Sequence, residues 1–209
     1  MVDGLVSNFG LIAGVAAATA GARPVMIAGV AGLLAGAFSM GSGEYVSVRS
    51  QNESMQAEVE LERIELEHNP VAELAELTQI YVERGVEPEL ARRVAEQLSA
   101  DPKQALEIHA QEEFGVDIHD LPNPWIASSS SFLSFSVGAL LPLLPFLLGA
   151  DVLWLAAVLT LAGLFITGAI TARFTTKPWH YAGGRQLLLG AVTFAVTYGI
   201  GHLIGANVA

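Results

Sequence analysis

Glutamates recur at helical spacing in the acidic middle of this chain. Glu62 and Glu65 are three residues apart. Glu73 and Glu76 have the same spacing, so each pair would share one face of a helix. The Asn69-Pro70 corner lies between the pairs and would fold the second back toward the first. Carboxylates gathered in this way repel one another unless a cation binds among them, so the spacing indicates a cation site.

A later segment adds an imidazole and further carboxylates. His109 and Glu113 are four residues apart, and the neighbouring Glu112 could replace or assist Glu113. Five carboxylates and one imidazole suit a divalent first-row ion such as Fe²⁺ or Mn²⁺. The chain has no cysteine, which excludes disulfides and thiolate metal sites. A second interpretation is open, because a solvated surface this rich in glutamate contains such pairs by chance.

Charged and apolar residues are segregated along the chain. Hydrophobic residues make up 52% of it, yet the net charge is −11. Of the 21 Asp and Glu, 18 fall between Glu53 and Asp120, and only Asp3, Glu44 and Asp151 lie outside that block. This pattern is typical of a membrane protein with an acidic soluble insert. A lipid bilayer is therefore an expected partner, and nucleic acid is not.

Five apolar stretches are long enough to cross a bilayer, which takes about 20 helical residues. We therefore predict an all-α integral membrane protein with five transmembrane helices, divided into regions 1–48, 49–123 and 124–209. The first stretch follows Asp3 rather than a basic segment, so we expect it to be retained and not cleaved as a signal peptide. The five predicted spans are about 4–22, 25–48, 126–148, 152–172 and 185–205.

The positions of Lys and Arg predict the orientation. Arg173, Lys177 and Arg185 lie between the fourth and fifth spans, whereas the first hairpin carries only Arg23. The positive-inside rule places the loop with three basic residues in the cytoplasm, and with it the acidic insert and the N-terminus. An odd number of spans makes a symmetric pore between two copies easier to build than a pore within one, so we expect a homodimer.

Prolines and glycines punctuate the insert. Asn69, Glu87 and Asp101 each precede a proline that would occupy the first position of a helix, and Gly85 and Gly115 mark helix ends. Residues 49–68 contain no helix breaker, so the second span is predicted to continue as one helix to Asn69. The short helices predicted after it cover about 70–84, 88–100 and 102–114.

The first two apolar stretches carry a family resemblance. Residues 3–11 read Asp-Gly-Leu-Val-Ser-Asn-Phe-Gly-Leu, and residues 35–48 read Ala-Gly-Ala-Phe-Ser-Met-Gly-Ser-Gly-Glu-Tyr-Val-Ser-Val. These two segments resemble the first two membrane helices of the vacuolar iron transporter family. The resemblance implies export of ferrous iron, and often of manganese, from the cytosol in exchange for protons. It implies no prosthetic group and no enzymatic reaction.

The resemblance also implies roles for the acidic insert. In that family the insert is a cytoplasmic helical metal-binding domain, in which two Glu-x-x-Glu pairs flank a proline corner and another Glu lies on the last helix. Plant members carry methionines near this last Glu, where the present chain has Ile108-His109-Ala110. His109 would thus keep a metal ligand at this position, but its imidazole is a harder ligand than the thioether of methionine. The matching glutamates are Glu62, Glu65, Glu73, Glu76 and Glu113.

A transport pathway through the membrane is implied as well. Asp3 and Met40 match an Asp and a Met of the family, whereas the Glu that plant and yeast members carry near Gly32 is missing. Glu44 lies twelve residues later, and burial would favour its neutral form, as a proton carrier requires. Two alternatives are open: Glu44 as an interfacial acid paired with Arg49 or Tyr45, and Met40 as a packing residue.

Other functions and two locations are also open. A membrane-anchored di-iron oxidase or ferritin-like store would need two Glu-x-x-His pairs, and the insert has one, Glu65 with His68. A metal sensor without transport is the third possibility. The protein would lie in the plasma membrane of a prokaryote, which the Lys-poor composition weakly favours, or in a vacuolar or similar organelle membrane of a eukaryote. Family members usually carry an N-terminal arm before the Asp-Gly pair. The N-terminus here is very short, so we expect that the chain is trimmed.

Overall fold

The computed structural model describes residues 1–150 and 152–208, and these residues form helices without any strand. They divide into two compact units. Met1–Glu44 and Trp125–Ala209 form the bundle unit, and Tyr45–Pro124 forms the insert unit. The α-helices are α1 (Val2–Ala18), α2 (Ala22–His68), α3 (Pro70–Glu83), α4 (Pro88–Leu98), α5 (Pro102–Phe114), α6 (Pro124–Leu147), α7 (Leu153–Thr171) and α8 (Trp179–Val208), with a 3₁₀ turn at Ala172–Phe174.

Within the described residues, four helices are long and apolar enough to cross a membrane. They are α2, α6, α7 with its 3₁₀ turn, and α8. The first predicted span, about 4–22, corresponds to α1, an apolar helix of 17 residues, somewhat short of the roughly 20 that a bilayer core needs. An all-helical fold with four helices able to span a membrane is thus confirmed for the described residues, whereas the count of five remains a prediction.

Helix α1 is the most deeply packed element of the bundle unit. Phe9 and Ile12 belong to a buried apolar cluster with Leu143 of α6, and the Phe9 ring stacks on Phe194 of α8 at 5.2 Å between ring centroids. At Gly4 a side chain would collide with the α6 backbone, so the two helices pack main chain against main chain. This packing fixes the position of the polar residues on α1.

The helices of the insert unit begin and end close to the positions that its prolines and glycines predict. Its three short helices start at the expected prolines and end within two residues of the expected positions, and α2 does continue unbroken to His68. The Glu87 and Asp101 carboxylates accept hydrogen bonds from backbone N–H groups at the starts of α4 and α5, whereas the Asn69 side chain makes no such bond. Gly115 ends α5 at φ 68°, a left-handed conformation that favours glycine.

Candidate metal centre

Four potential metal ligands converge inside the insert unit. Glu62 comes from α2, Glu73 from the first turn of α3, and His109 and Glu113 from α5. Each offers one ligand atom, and these atoms all lie within 4.8 Å of one another. The corner at Asn69 returns the chain from α2 into α3, and the four-residue spacing places His109 and Glu113 on one face of α5. We call these four residues the insert centre.

The insert centre is buried, and several of its polar atoms lack a hydrogen-bond partner. His109 is 0% exposed, Glu62 4% and Glu73 6%. The His109 Nδ1 atom lies 2.8 Å from Glu113 Oε1 and 2.9 Å from Glu62 Oε1, and a ring nitrogen carries one proton at most. In the described part of the chain, Glu73 Oε2 and His109 Nε2 are buried without a hydrogen-bond partner, and Glu62 Oε1 also has none once the Nδ1 contact is assigned to Glu113. Such atoms are costly to bury unless something binds them.

The electrostatics of the insert centre favour a cation. Burial, with the charge of the neighbouring Glu113 as the second cause, raises the pKa of the Glu62 carboxyl to about 7 against the opposing effect of His109. Burial also raises the pKa of Glu73, together with the charge of Glu76. A divalent cation would supply the opposite charge and the missing partner atoms at once. Three carboxylates and an imidazole fit Fe²⁺ or Mn²⁺.

The structure places the other predicted insert ligands outside this group. Glu65 and Glu76 are exposed, although Glu65 contributes to the raised pKa of Glu62. Glu112 forms an ion pair with Arg84 and accepts a hydrogen bond of 3.3 Å from the Tyr81 hydroxyl. Its carboxylate is therefore engaged elsewhere.

A second polar site lies in the bundle unit. Asp3 and Met40 line one cavity of about 280 Å³, together with Gly32 and Gly36 of α2. We call it the bundle cavity. Glu44 is exposed and is not among the lining residues. Arg49, one of the two suggested partners of Glu44, forms an ion pair with Glu53 at 2.6 Å.

Comparison with known sequences identifies the family. A family profile described as the VIT family matches residues 1–202. The chain belongs to the VIT family. The resemblance drawn from the flanks of the first two apolar stretches is thereby confirmed, and the four apolar helices make this VIT protein an integral membrane protein.

Its relatives carry transporter names. The chain is 45% identical over 181 residues to "Vacuolar iron transporter" of Acanthamoeba castellanii, covering 84% of this chain and 64% of that protein. It is 32% identical over 209 residues to "Vacuolar iron transporter 1" of Arabidopsis thaliana, covering 97% and 82%. It is 31% identical over 205 residues to "Vacuolar iron transporter 2" of Oryza sativa subsp. japonica, covering 97% and 83%. The chain thus spans slightly under two thirds of its amoebal relative.

Three polar residues of the bundle cavity were not predicted as site residues. The Ser7 hydroxyl donates a hydrogen bond of 3.0 Å to Asp3 Oδ1, and Asn8 and Ser39 also line the cavity. The sequence does contain a signal for Ser7 and Asn8, because both follow Asp3 within an otherwise apolar helix. In this VIT protein the cavity therefore presents a carboxylate, a thioether, an amide and two hydroxyl groups.

Proposed function

We propose that this VIT family protein moves divalent iron, and also manganese, out of the cytosol across an organelle membrane in exchange for protons. The observation that carries the proposal is the insert centre, a set of buried and under-paired carboxylate and imidazole groups. The names of the relatives, which refer to vacuolar iron transport, support iron as the cargo. A plasma-membrane location would apply if the source is a prokaryote.

Capture by the insert unit is the first step. At neutral pH the Glu62 carboxyl, with its pKa of about 7, is partly protonated, and an arriving cation displaces that proton. Glu73, His109 and Glu113 complete the first set of ligands. The exposed Glu65 and Glu76 extend the negative surface and raise the local concentration of cations around the centre.

Passage through the bundle unit is the second step. Asp3 and Met40 offer an oxygen and a sulfur ligand to the ion in the bundle cavity. Glu44 lies on α2 beyond this cavity and is our candidate for the exchangeable proton. The two steps need different residues, so variants can separate them.

The membrane arrangement belongs to the same proposal. We place all five apolar helices across the bilayer, with the insert unit in the cytoplasm, because Arg173 and Lys177 lie between α7 and α8 and Arg185 lies in the second turn of α8. Two copies would then build the path between them. The exposed apolar side chains of α2, such as Leu34 and Phe38, support a surface that lipid or a second copy covers.

Membership in the VIT family supports a transporter rather than an enzyme. A ferritin-like store or a sensor would also bind Fe²⁺ in the insert, but neither would move it. Measurement of transport into vesicles therefore distinguishes a transporter from a store or a sensor.

The experiment is uptake of Fe²⁺ by vesicles that contain the full chain, measured under anaerobic conditions over a range of metal concentrations. The double variant Glu62→Gln with Glu73→Gln should need a concentration at least about tenfold higher for half-maximal uptake, because two ligands are lost. Glu58→Gln is the matched control, an exposed carboxylate on the same helix. Fe²⁺ binding without uptake above that of empty vesicles would favour a store or a sensor.

A further inference from the structure

Asn8 is a buried amide in an apolar helix, and only half of it is paired. The side chain is 2% exposed. Its Nδ2 atom donates a hydrogen bond of 2.7 Å to the backbone carbonyl of Ala139 on α6. Its Oδ1 atom is buried and accepts no hydrogen bond within the described residues. An unpaired amide oxygen costs about 1–3 kcal/mol in a protein interior, so its retention calls for an explanation.

The orientation of the amide is determined by its partner. The Ala139 carbonyl can only accept a hydrogen bond, so the group that faces it must be the NH₂. The oxygen therefore points the other way, toward α2. A Cβ atom built on Gly32 would lie 2.8 Å from Asn8 Oδ1, which shows that the oxygen faces this glycine directly.

Gly32 and Asn8 both line the bundle cavity, with Asp3 and Met40. A lone amide oxygen, a carboxylate and a thioether around one cavity make an incomplete coordination shell for a divalent first-row ion. Because Gly32 has no side chain, α2 comes close to Oδ1 here, and a Cβ atom at this position would also meet Leu11 Cδ2 at 2.5 Å. The hydroxyl groups of Ser7 on α1 and Ser39 on α2 also line the cavity and could complete the shell or hold water in it.

We propose that Asn8 Oδ1 is a ligand of the ion in the bundle cavity, acting with the Asp3 carboxylate and the Met40 thioether. This inference rests on the proposed function, because it assigns the cavity to the transported cation. The neutral amide supplies coordination without a second negative charge from the same helix. A site inside a path must bind strongly enough to admit the ion and weakly enough to release it, and an amide oxygen in place of a carboxylate serves that balance.

Asn8 could instead serve only to join α1 to α6 through its NH₂ group. The two roles use different atoms, and substitutions separate them. Asn8→Asp keeps Oδ1 but gives up the donor to Ala139. Asn8→Leu removes both polar atoms and keeps the number and branching of the side-chain heavy atoms. Thr160→Val is a matched control for loss of a buried polar group, because Thr160 is 0% exposed, bonds within its own helix and does not line the cavity.

The first measurement is Mn²⁺ binding to the full chain in detergent, followed by the electron paramagnetic resonance signal of free Mn²⁺. The background carries Glu62→Gln and Glu73→Gln, so that the insert centre is disabled. We expect a remaining site whose dissociation constant rises at least about tenfold with Asn8→Leu, stays at or below the starting value with Asn8→Asp, and is unchanged with Thr160→Val. Absence of any remaining site would overturn the proposal, as would equal weakening by Asn8→Asp and Asn8→Leu.

The second measurement is Mn²⁺ uptake by vesicles with the insert centre intact. Asn8→Leu should raise the KM for Mn²⁺ at least about tenfold, and Asn8→Asp should not raise it. Wild-type KM for Asn8→Leu would overturn the role of Asn8. If Mn²⁺ binds through Asn8 in the first measurement but the wild-type chain moves neither Mn²⁺ nor Fe²⁺ into vesicles, the proposed function fails while the ligand role of Asn8 stands.

Discussion

Replacement of Glu62 by Gln should stabilise the metal-free insert unit at alkaline pH. Glu62 is buried beside Glu73 and Glu113, and its pKa rises from 4.5 to about 7. A raised carboxyl pKa means that the fold holds the proton more tightly than the unfolded chain does. The contribution to stability is therefore fully present below pH 4.5 and is lost as the pH rises through about 7. Glutamine keeps the shape and carries no charge at any pH.

The magnitude follows from the size of the pKa change. One pKa unit corresponds to about 1.4 kcal/mol, so a rise to about 7 sets an upper bound of about 3 kcal/mol. Solvent screening at the more exposed edge of the insert centre, where Glu113 lies, lowers this to about 1–2 kcal/mol. At pH 8 the metal-free variant should therefore open less often than the metal-free wild type, by a factor of about 5 to 30.

Hydrogen–deuterium exchange of the α5 segment, Pro102–Phe114, measures this opening in the full chain. A chelator keeps the protein metal-free, and rates are corrected for the intrinsic pH dependence of exchange. Glu62→Gln should slow exchange at pH 8 and leave it unchanged at pH 4, while the exposed control Glu58→Gln should follow the wild type at both. Addition of Mn²⁺ should then protect the wild type far more than Glu62→Gln. If wild-type α5 exchanges equally slowly at both pH values without metal, the raised pKa of Glu62 is wrong.

Three further predictions concern the ion and its path. Glu44→Gln should abolish proton exchange in vesicles while Fe²⁺ binding to the full chain stays at its wild-type value, and unchanged proton flux would remove Glu44 from the mechanism. His109→Gln should weaken Co²⁺ binding to the insert centre more than Mn²⁺ binding, by at least about tenfold, because imidazole favours the later first-row ions, and equal weakening in a titration would show that the ring is not a ligand. Met40→Cys should cross-link two copies in membranes if the path lies between them, and full transport by a monomeric preparation would exclude that arrangement.

Helix limits in the insert were predictable because single residues determine them. A proline at the first position and a glycine in left-handed conformation act locally, so α3, α4 and α5 were located to within two residues. The length of α1 was not predictable in this way. Its apolar stretch continues to Ala22 in the sequence, but the helix ends at Ala18, before the turn at Gly21 with φ 87°.

The choice among the insert glutamates depends on helix rotation, which spacing alone leaves open. Residues three apart are about 60° apart around a helix, so one member of a pair can be buried while the other is exposed. On α3 the buried residues are Glu73 and Leu77, four apart, and packing of Leu77 turns Glu76 outward. Glu112 is drawn to Arg84, a residue far away in sequence. Only tertiary packing reveals both outcomes.

The sequence likewise predicted only part of the bundle cavity. Asp3 and Met40 were expected in one path from the family resemblance, and they do line one cavity. The pairing state of Asn8 could not be read from its sequence position, because it depends on Ala139, 131 residues later. A polar residue in an apolar helix was the available signal, and the structure shows which of its atoms is free of partners.

Simultaneous recording of Fe²⁺ and pH inside vesicles tests the central claim most directly. Vesicles reconstituted with the full chain would contain a fluorescent Fe²⁺ chelator and a pH dye, under anaerobic conditions and with an acidic interior. The account predicts that external Fe²⁺ enters faster than into empty vesicles and that the internal pH rises as it does so. Fe²⁺ that binds to the protein while neither the internal metal signal nor the internal pH differs from empty vesicles would contradict it.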